Sequence, residues 1–381
     1  MTENTPSLDT EEILAGIRAW VEIESPTTDA AAVNRMADRV TADYAAIGAR
    51  VERLPGRDGF GDHLLVTSPW GDPDAPGILV LSHIDTVHDL GIIDSKLPFR
   101  VEGDIAYGPG IYDMKGGAYL ALAAMRHLVR VGRTTQLPIR HLLVSEEEVG
   151  SPTSREYIER EARRAVAVLV TEPAREGGRI VTARKGAARF DLTVRGVLAH
   201  SGARHQDGRS AIKELARQIL DIEAMTNYDT GLTLNVGVIS GGTRPNVVPD
   251  EAHAAIDMRV PNPAIAEEAI ARMLALKPYD PDCTLEIKGG LNRPGYEKGA
   301  AISGIFEVAK SIAADIGFEL KDIATGGGSD GNFTAALAPT LDGLGVDGKG
   351  GHTHYEQLYV SSIVPRARLM LGLFEAYGKG R

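Results

Sequence analysis

A histidine and an aspartate close an apolar run at Gly77–His88, which reads GILVLSHIDTVH. Residues two apart on an extended backbone point the same way, so Asp85 can accept the ring N–H of His83 and hold the other ring nitrogen toward a metal. Two more apolar runs end in the same manner. Ile139–Ser145 leads straight into Glu146-Glu147-Glu148, and Ala165–Thr171 ends at Glu172-Pro173. Taken singly, a strand-end histidine satisfied by a turn or a solvated run of glutamates would explain each of these. Three such ends in one chain point to a shared site. Asp113, inside the glycine-rich GPGIYDMKGG, and His352, in GGHTHYE, extend the set. Two imidazoles with three carboxylates suit zinc or a similar first-row ion; calcium and magnesium prefer all-oxygen shells. Five ligands are too many for one catalytic zinc, and two metals sharing one bridging carboxylate account for the count. A glutamate left over from the Glu146–Glu148 run would take a proton from water and pass it to a leaving nitrogen. The run alone leaves open which glutamate is ligand and which is base.

The runs ahead of these residues are nearly continuous in Val, Leu and Ile, the pattern of strands buried on both faces of an α/β sheet. In such sheets ligands gather beyond the carboxyl ends of the strands. Helices are expected at 9–22, 30–47 and 117–131, with short strands at 49–54 and 63–67. From about residue 187 the pattern changes. Strands at 188–195 and 253–260 alternate in polarity and are accompanied by strands at 232–239 and 284–288 and helices at 210–225 and 264–276. That β-α-β-β-α-β order with one solvated sheet face is a small α+β unit. Helices at 299–315, 332–337 and 360–377 then resume the first pattern. The expected organisation is a catalytic domain in two parts, 1–186 and 293–381, interrupted by an inserted domain at 187–292.

With 381 residues the chain exceeds one hydrophobic core. Its net charge of −11 argues against a nucleic-acid surface, without excluding anionic substrates. Its single cysteine, Cys283, rules out an intrachain disulfide and a cysteine-built zinc site. The opening MTENTPSLDTEE lacks an apolar signal core, and no run approaches the roughly 20 residues of a membrane span. A cytoplasmic protein without membrane or nucleic-acid partners is expected.

Taken together, SHIDTV, GPGIYDMKGG, EEEVGS, TEP, AHSG, PNVVPDEAHAAIDMR, TGGGSD and GLGVDGKGGHTHYE resemble the M20 metallopeptidase family, in its glutamate carboxypeptidase branch. They span nearly the whole chain in the family's order. The resemblance implies a mixed-sheet α/β catalytic domain of the zinc-peptidase type with an inserted α+β, ferredoxin-like lid and dimerisation domain. It makes His83 and His352 terminal ligands of two Zn2+ (with Co2+ or Mn2+ as substitutes) and Asp113 the bridge. Glu148 completes one metal and Glu172 the other. The family form Glu-Glu-x-Gly makes Glu147 the general base, and Asp85 orients His83. His200 in AHSG matches a histidine that reaches the oxyanion, commonly from the partner subunit of a homodimer formed through 187–292. Asn246 and Arg259 match substrate contacts, and a guanidinium at Arg259 suits a carboxylate clamp. Arg293 is a second clamp candidate, and the glycines around Gly327 would let backbone approach the substrate. The implied reaction is hydrolysis of the amide bond of an N-acyl or peptidyl C-terminal amino acid, glutamate preferred. An N-acyl amino acid deacylase of acetylornithine or succinyl-diaminopimelate type is the alternative within the family.

Two other classes compete. Gly327–Gly331 fits G-x-S-x-G around Ser329, and Asp342 or Asp347 and then His352 follow in the chain order of a serine hydrolase. This needs a buried strand ahead of Ser329, but Leu320–Ala324 is mixed in character, and it leaves His83, Asp113 and the glutamates unexplained. A non-catalytic metal-holding or peptide-binding module is the other class; the intact Glu147 speaks against it.

Overall fold

A computed structural model describes residues 7–379. Residues 1–6 and 380–381, at the outer ends of the expected catalytic segments, lie outside the described residues, and with them the first half of the polar opening stretch. The chain divides into two compact units. One takes the chain up to Thr182, then Lys298–Ala324 and Ser329 onward; the other takes Ala183–Glu297 with Thr325–Gly328.

The first unit is built on a six-stranded mixed sheet in the order Arg50–Leu54, His63–Thr67, Ile139–Val144, Gly77–His83, Ala165–Val170, Thr340–Leu341. Gly77–His83 lies between Ile139–Val144 and Ala165–Val170, parallel to both. The three strands that lead to candidate ligands are therefore neighbours and end on the same side. Alternate residues of Gly77–His83 serve two cores. Ile78 and Val80 pack with the helices Thr10–Val21, Ala30–Ala45, Gly116–Arg130, Ala300–Ile316 and Ile363–Tyr377. Leu79 and Leu81 pack with Ile158 and Ala162 of the helix Arg155–Ala162 on the other face. That double burial is why the strand reads as unbroken apolar sequence.

Helix starts follow side-chain capping. Asp9 accepts from the Glu12 amide and Asp29 from the Ala32 amide. The helix Arg155–Ala162 escapes the sequence reading because its REYIEREA is mostly charged, with only Ile158, Glu161 and Ala162 buried. A small four-stranded sheet, Gly348–Lys349, Gln357–Tyr359, Ile105–Tyr107 and Arg100–Glu102, flanks the loops that carry Asp113 and His352.

The second unit is a four-stranded antiparallel sheet with two helices. Its spatial order, Thr233–Gly241, Glu251–Val260, Gly186–Arg195, Thr284–Arg293, is the ferredoxin-like one. Even-numbered residues of Glu251–Val260 and Gly186–Arg195 are buried with Leu215 and Ile222 of one helix and Ala269 and Met273 of the other. Odd-numbered residues of Glu251–Val260, including His253, Asp257 and Arg259, are half-buried on the open face. The last strand runs to Arg293, past the expected Lys288, because Gly289 allows the backbones to close in. A Cβ there would lie 2.0 Å from the Arg189 carbonyl oxygen.

Candidate active site

The ends of the three parallel strands and two loops bring the candidate ligands of the first unit together. His83 closes its strand and is 1% exposed. Asp113 sits in the segment Ile111–Lys115, where its own φ/ψ of −118°/94° depart from helix. The following helix begins at Gly116 and presses close to the strand end that bears Glu172. A Cβ on Gly117 would meet the Thr171 carbonyl oxygen at 2.0 Å, so only glycine permits this approach.

Asp113 stands between the two imidazoles. Its Oδ1 is 3.3 Å from His83 Nε2 and its Oδ2 is 3.3 Å from His352 Nε2. Glu172 Oε1 is 4.0 Å from His83 Nε2, and Glu148 Oε2 is 3.1 Å from His352 Nε2. Ligand atoms of His83, Glu147 and Glu172 lie within 4.8 Å of one another, as do those of His83, Asp113 and Glu148. Glu147 and Glu172 are buried, and His352 is exposed.

The electrostatics follow from this crowding. Burial alone would keep His83 neutral, but Asp113 and Asp85 outweigh it and hold its pKa well above the ordinary value. His352, hydrogen-bonded by Asp113 and Glu148, is pushed up to about 11. Burial drives the Asp113 carboxyl up, yet His352 and His83 hold it below the usual carboxylate range. Burial leaves Glu148 above it. Positive charge is thus drawn to both oxygens of Asp113. Glu148 Oε1 is buried without a hydrogen-bond partner. Two imidazoles, several carboxylates and an orphaned carboxylate oxygen form a donor set that fits divalent cations of the zinc class.

Asp85 meets His83 through both its carbonyl and its carboxylate. The nearer acceptor for His83 Nδ1 is the Asp85 carbonyl oxygen, at 3.0 Å; the carboxylate Oδ1 is at 3.4 Å. The carboxylate accepts from the Thr27 hydroxyl at 2.7 Å and from the amides of Glu147 and Glu148, each at 3.3 Å. Asp85 therefore ties the histidine strand to the glutamate turn. Glu146, spare in the sequence reading, holds the turn ahead of the helix Arg155–Ala162. Its Oε1 accepts from the amides of Thr153 and Ser154 at 2.9 and 2.7 Å.

Ser329 does not form a nucleophile. Its buried hydroxyl donates to Asp342 Oδ2 at 2.5 Å and accepts from the Gly331 amide at 3.0 Å. The strand ahead of it, Asp322–Thr325, is short and mostly half-buried, the helix after it spans only Gly331–Thr334, and His352 faces Asp113 and Glu148 instead. A nucleophile elbow needs a buried strand and a free hydroxyl, so the serine-hydrolase reading is set aside.

The remaining candidates lie in the second unit. His200 is exposed, and its Nδ1 accepts from the amides of Gly202 and Ala203 at 3.2 and 3.1 Å. That fixes the neutral ring as the Nε2–H tautomer, a donor directed away from its own turn. Asn246 is exposed beside it, its carbonyl accepting from the Ser201 amide at 3.1 Å. Arg259 is already engaged. Its Nε and Nη2 donate to the two oxygens of Asp257 at 2.7 and 3.0 Å. Strand register sets Arg259 and Arg293 on either side of Ala187, with Arg293 9% exposed. Gly327 is exposed, with nothing within 4 Å of a would-be Cβ, and its carbonyl accepts from Arg184 at 3.2 Å.

Two residues outside the sequence reading shape the first unit's cluster. Thr27 holds Asp85 from 58 positions away, and the buried carboxylate of Glu356 meets the loop that carries Asp113. Neither contact leaves a local pattern; the only cue to Glu356 was its place four residues after His352.

The sequence model of Peptidase family M20/M25/M40 matches residues 79–376. Carboxypeptidase G2 of Pseudomonas sp. (strain RS-16) is 28% identical over 375 residues, covering 95% of this chain and 89% of that protein. A probable carboxypeptidase of Arthroderma benhamiae is 31% identical over 247 residues, 59% of this chain and 52% of that protein. Among solved structures, the aminopeptidase PepT from Bacillus cereus has a TM-score of 0.79 at 23% identity, covering 97% of this chain and 99% of that one. The M20 family metallo-carboxypeptidase Sso-CP2 from Sulfolobus solfataricus has a TM-score of 0.73 at 17% identity, covering 96% and 99%.

Proposed function

Because the chain belongs to peptidase family M20/M25/M40 and is thereby a metal-dependent hydrolase, we propose that it is a carboxypeptidase or amidohydrolase that releases a C-terminal amino acid, glutamate preferred, from a peptide or N-acyl donor. One observation carries this reading. The two oxygens of Asp113 each face one imidazole, and a second carboxylate, Glu172 or Glu148, stands beside each imidazole. A carboxylate standing between two such half-sites is what a co-catalytic metal pair would use as its bridge, and it supports the reading.

In this reading His83, Asp113 and Glu172 would hold one Zn2+, and His352, Asp113 and Glu148 the other. Divalent ions there would supply Lewis acidity toward the scissile carbonyl and acidify the attacking water. Every other task falls to side chains. Glu147 takes the proton from water as the new C–O bond forms, then delivers it to the amine as the C–N bond breaks. Asp85 keeps Glu147 aligned through the two amides that it accepts. His200, as the Nε2–H tautomer, donates to the developing oxyanion from the partner subunit of a homodimer. Arg259 receives the substrate carboxylate in exchange for Asp257, with Asn246, Arg293 and the backbone at Gly327 as further contacts. Residues 187–292 form the lid and dimerisation domain, inserted between the catalytic segments 1–186 and 293–381. Among the described residues no helix is long and apolar enough to cross a membrane, and a cytoplasmic site of action is part of the proposal.

A hydrolysis screen tests it: dipeptides and N-acyl amino acids ending in Glu, Asp or a neutral residue, with zinc, with cobalt and after chelation. Glutamate-terminated substrates should be cleaved fastest, chelation should abolish turnover, and zinc or cobalt should restore it. Full activity in metal-free protein, or cleavage indifferent to the C-terminal residue, would overturn the reading.

A further inference from the structure

We propose that Glu356 is the positioning residue that sets Asp113 between the two imidazoles. Glu356 is 1% exposed, and its carboxylate is saturated by four donors. Oε1 accepts from the amides of Tyr112 and Asp113, both at 2.9 Å. Oε2 accepts from the Gly110 amide at 3.0 Å and pairs with His88 Nε2 at 2.7 Å.

The backbone explains why a distant carboxylate is needed. The stretch around Asp113 follows neither helix nor strand, since Asp113 and Met114 have φ/ψ of −118°/94° and −134°/27°. Buried amides that no regular ladder can satisfy need another acceptor, and a carboxylate, with two oxygens, can serve several at once. Glu356 supplies it to three amides of this loop. Desolvating that carboxylate is costly unless its lone pairs are filled, and here the loop itself fills three of the four positions.

The same carboxylate also joins the pieces on either side. His88 lies five residues after His83 on the chain leaving the central strand. Glu356 lies four residues after His352, and the Asp113 amide is a direct partner. One buried group therefore references His83, Asp113 and His352 to a common point. Displacing it moves the shared carboxylate relative to both imidazoles at once.

The inference rests on the metal-site reading, and the test separates the two. Full-length wild type, Glu356→Gln, His88→Ala and Glu214→Gln are compared. Glu214 is a matched control in the other unit: a buried carboxylate whose oxygens accept from the Tyr279 and Asp280 amides at 2.9 and 3.1 Å. Hydrogen exchange of the metal-free proteins reads the 108–116 segment, and competition with a chromogenic chelator reads zinc affinity. Glu356→Gln should lose exchange protection at 108–116 and weaken zinc binding by about tenfold to hundredfold, the range for outer partners of metal ligands. His88→Ala, which removes one donor and keeps the fold if Glu356→Gln does not, should show smaller changes in the same direction. Glu214→Gln should lower the melting temperature without either effect. Wild-type protection at 108–116 in Glu356→Gln or in folded His88→Ala overturns the role of Glu356, and so does unchanged zinc affinity. A wild type that takes up no zinc overturns the metal reading, while the exchange experiment still decides for or against Glu356.

Discussion

Glu147→Gln and Glu148→Gln should produce opposite phenotypes although the two residues are neighbours. The structure explains why they can be separated. Their amides both donate to the Asp85 carboxylate at 3.3 Å, so the backbone of the turn has a tether that neither substitution touches. Each substitution then turns one carboxyl group into an amide and leaves the scaffold in place. The Glu148 carboxylate stands 3.1 Å from His352 Nε2 with its other oxygen buried and unpartnered. Its loss should weaken the second metal by more than about 100-fold, beyond the range seen when only outer partners are disturbed. Glu147→Gln should keep both ions and lose the proton acceptor. A positioned base is worth roughly 10²–10⁴-fold, or about 2.7–5.4 kcal/mol of barrier, and kcat should fall by that factor with KM little changed. Metal content by elemental analysis, read beside steady-state kinetics, checks both. If Glu147→Gln loses metal while Glu148→Gln keeps metal and loses turnover, the roles are exchanged and the reasoning fails.

Three further outcomes are expected. His141, fully buried between Tyr44 and Ser82, has its pKa pushed down by burial to about 3, so the unfolded chain protonates first as pH falls. Its contribution is complete above the ordinary histidine value and is lost through the window down to about 3; going from pH 7.5 to 5 should cost about 2 kcal/mol. Denaturant titrations of wild type and His141→Gln across that range should diverge in pH slope, and parallel slopes would disprove this. Arg259→Ala should raise KM for carboxylate-terminated substrates about tenfold, a modest loss because the guanidinium must first leave Asp257, whereas Asp257→Asn should lower it. An unchanged KM in both variants would remove Arg259 from substrate binding. Mixed His200→Ala and Glu147→Gln chains should regain activity toward half the heterodimer fraction, since one of the two sites then carries neither lesion. If exchange of subunits is demonstrated and no activity returns, His200 acts within its own chain or not at all.

What could be read in the sequence was what local pattern encodes. Gly77–His83 is buried on both faces, so every position had to be apolar up to Ser82, and the polar residues at its end stood out. The second unit, half open to solvent, showed itself by alternation at Glu251–Val260. The helix Arg155–Ala162 stayed hidden because a short amphipathic helix with two apolar contacts looks like a charged loop. Glu356 and Thr27 were illegible for another reason: their partners are 243 and 58 residues away, and no periodicity reports such contacts. The Asp257–Arg259 pair was within reach. Two residues apart on an alternating strand share a face, so opposite charges there would be expected to meet.

Chain order has a consequence for how such a site comes into being. His83, Asp113, Glu147, Glu148 and Glu172 are all synthesised before the inserted unit, and His352 follows Glu172 by some 180 residues. At roughly 5–20 residues per second, that is a wait of about 9–36 s in which the carboxylates exist without their second imidazole. The core beneath them is also open, because Phe306, Ala309, Leu369 and Phe374, which help to close it, arrive from the last segments. The inserted unit has no such delay, since its buried cluster is drawn entirely from residues 188–273. The middle of this chain is thus expected to fold first, and the two ends to meet around a site that its final tenth completes. Limited proteolysis of chains stalled after Glu297 would show protection confined to the inserted unit; equal protection of the first 182 residues would contradict that order.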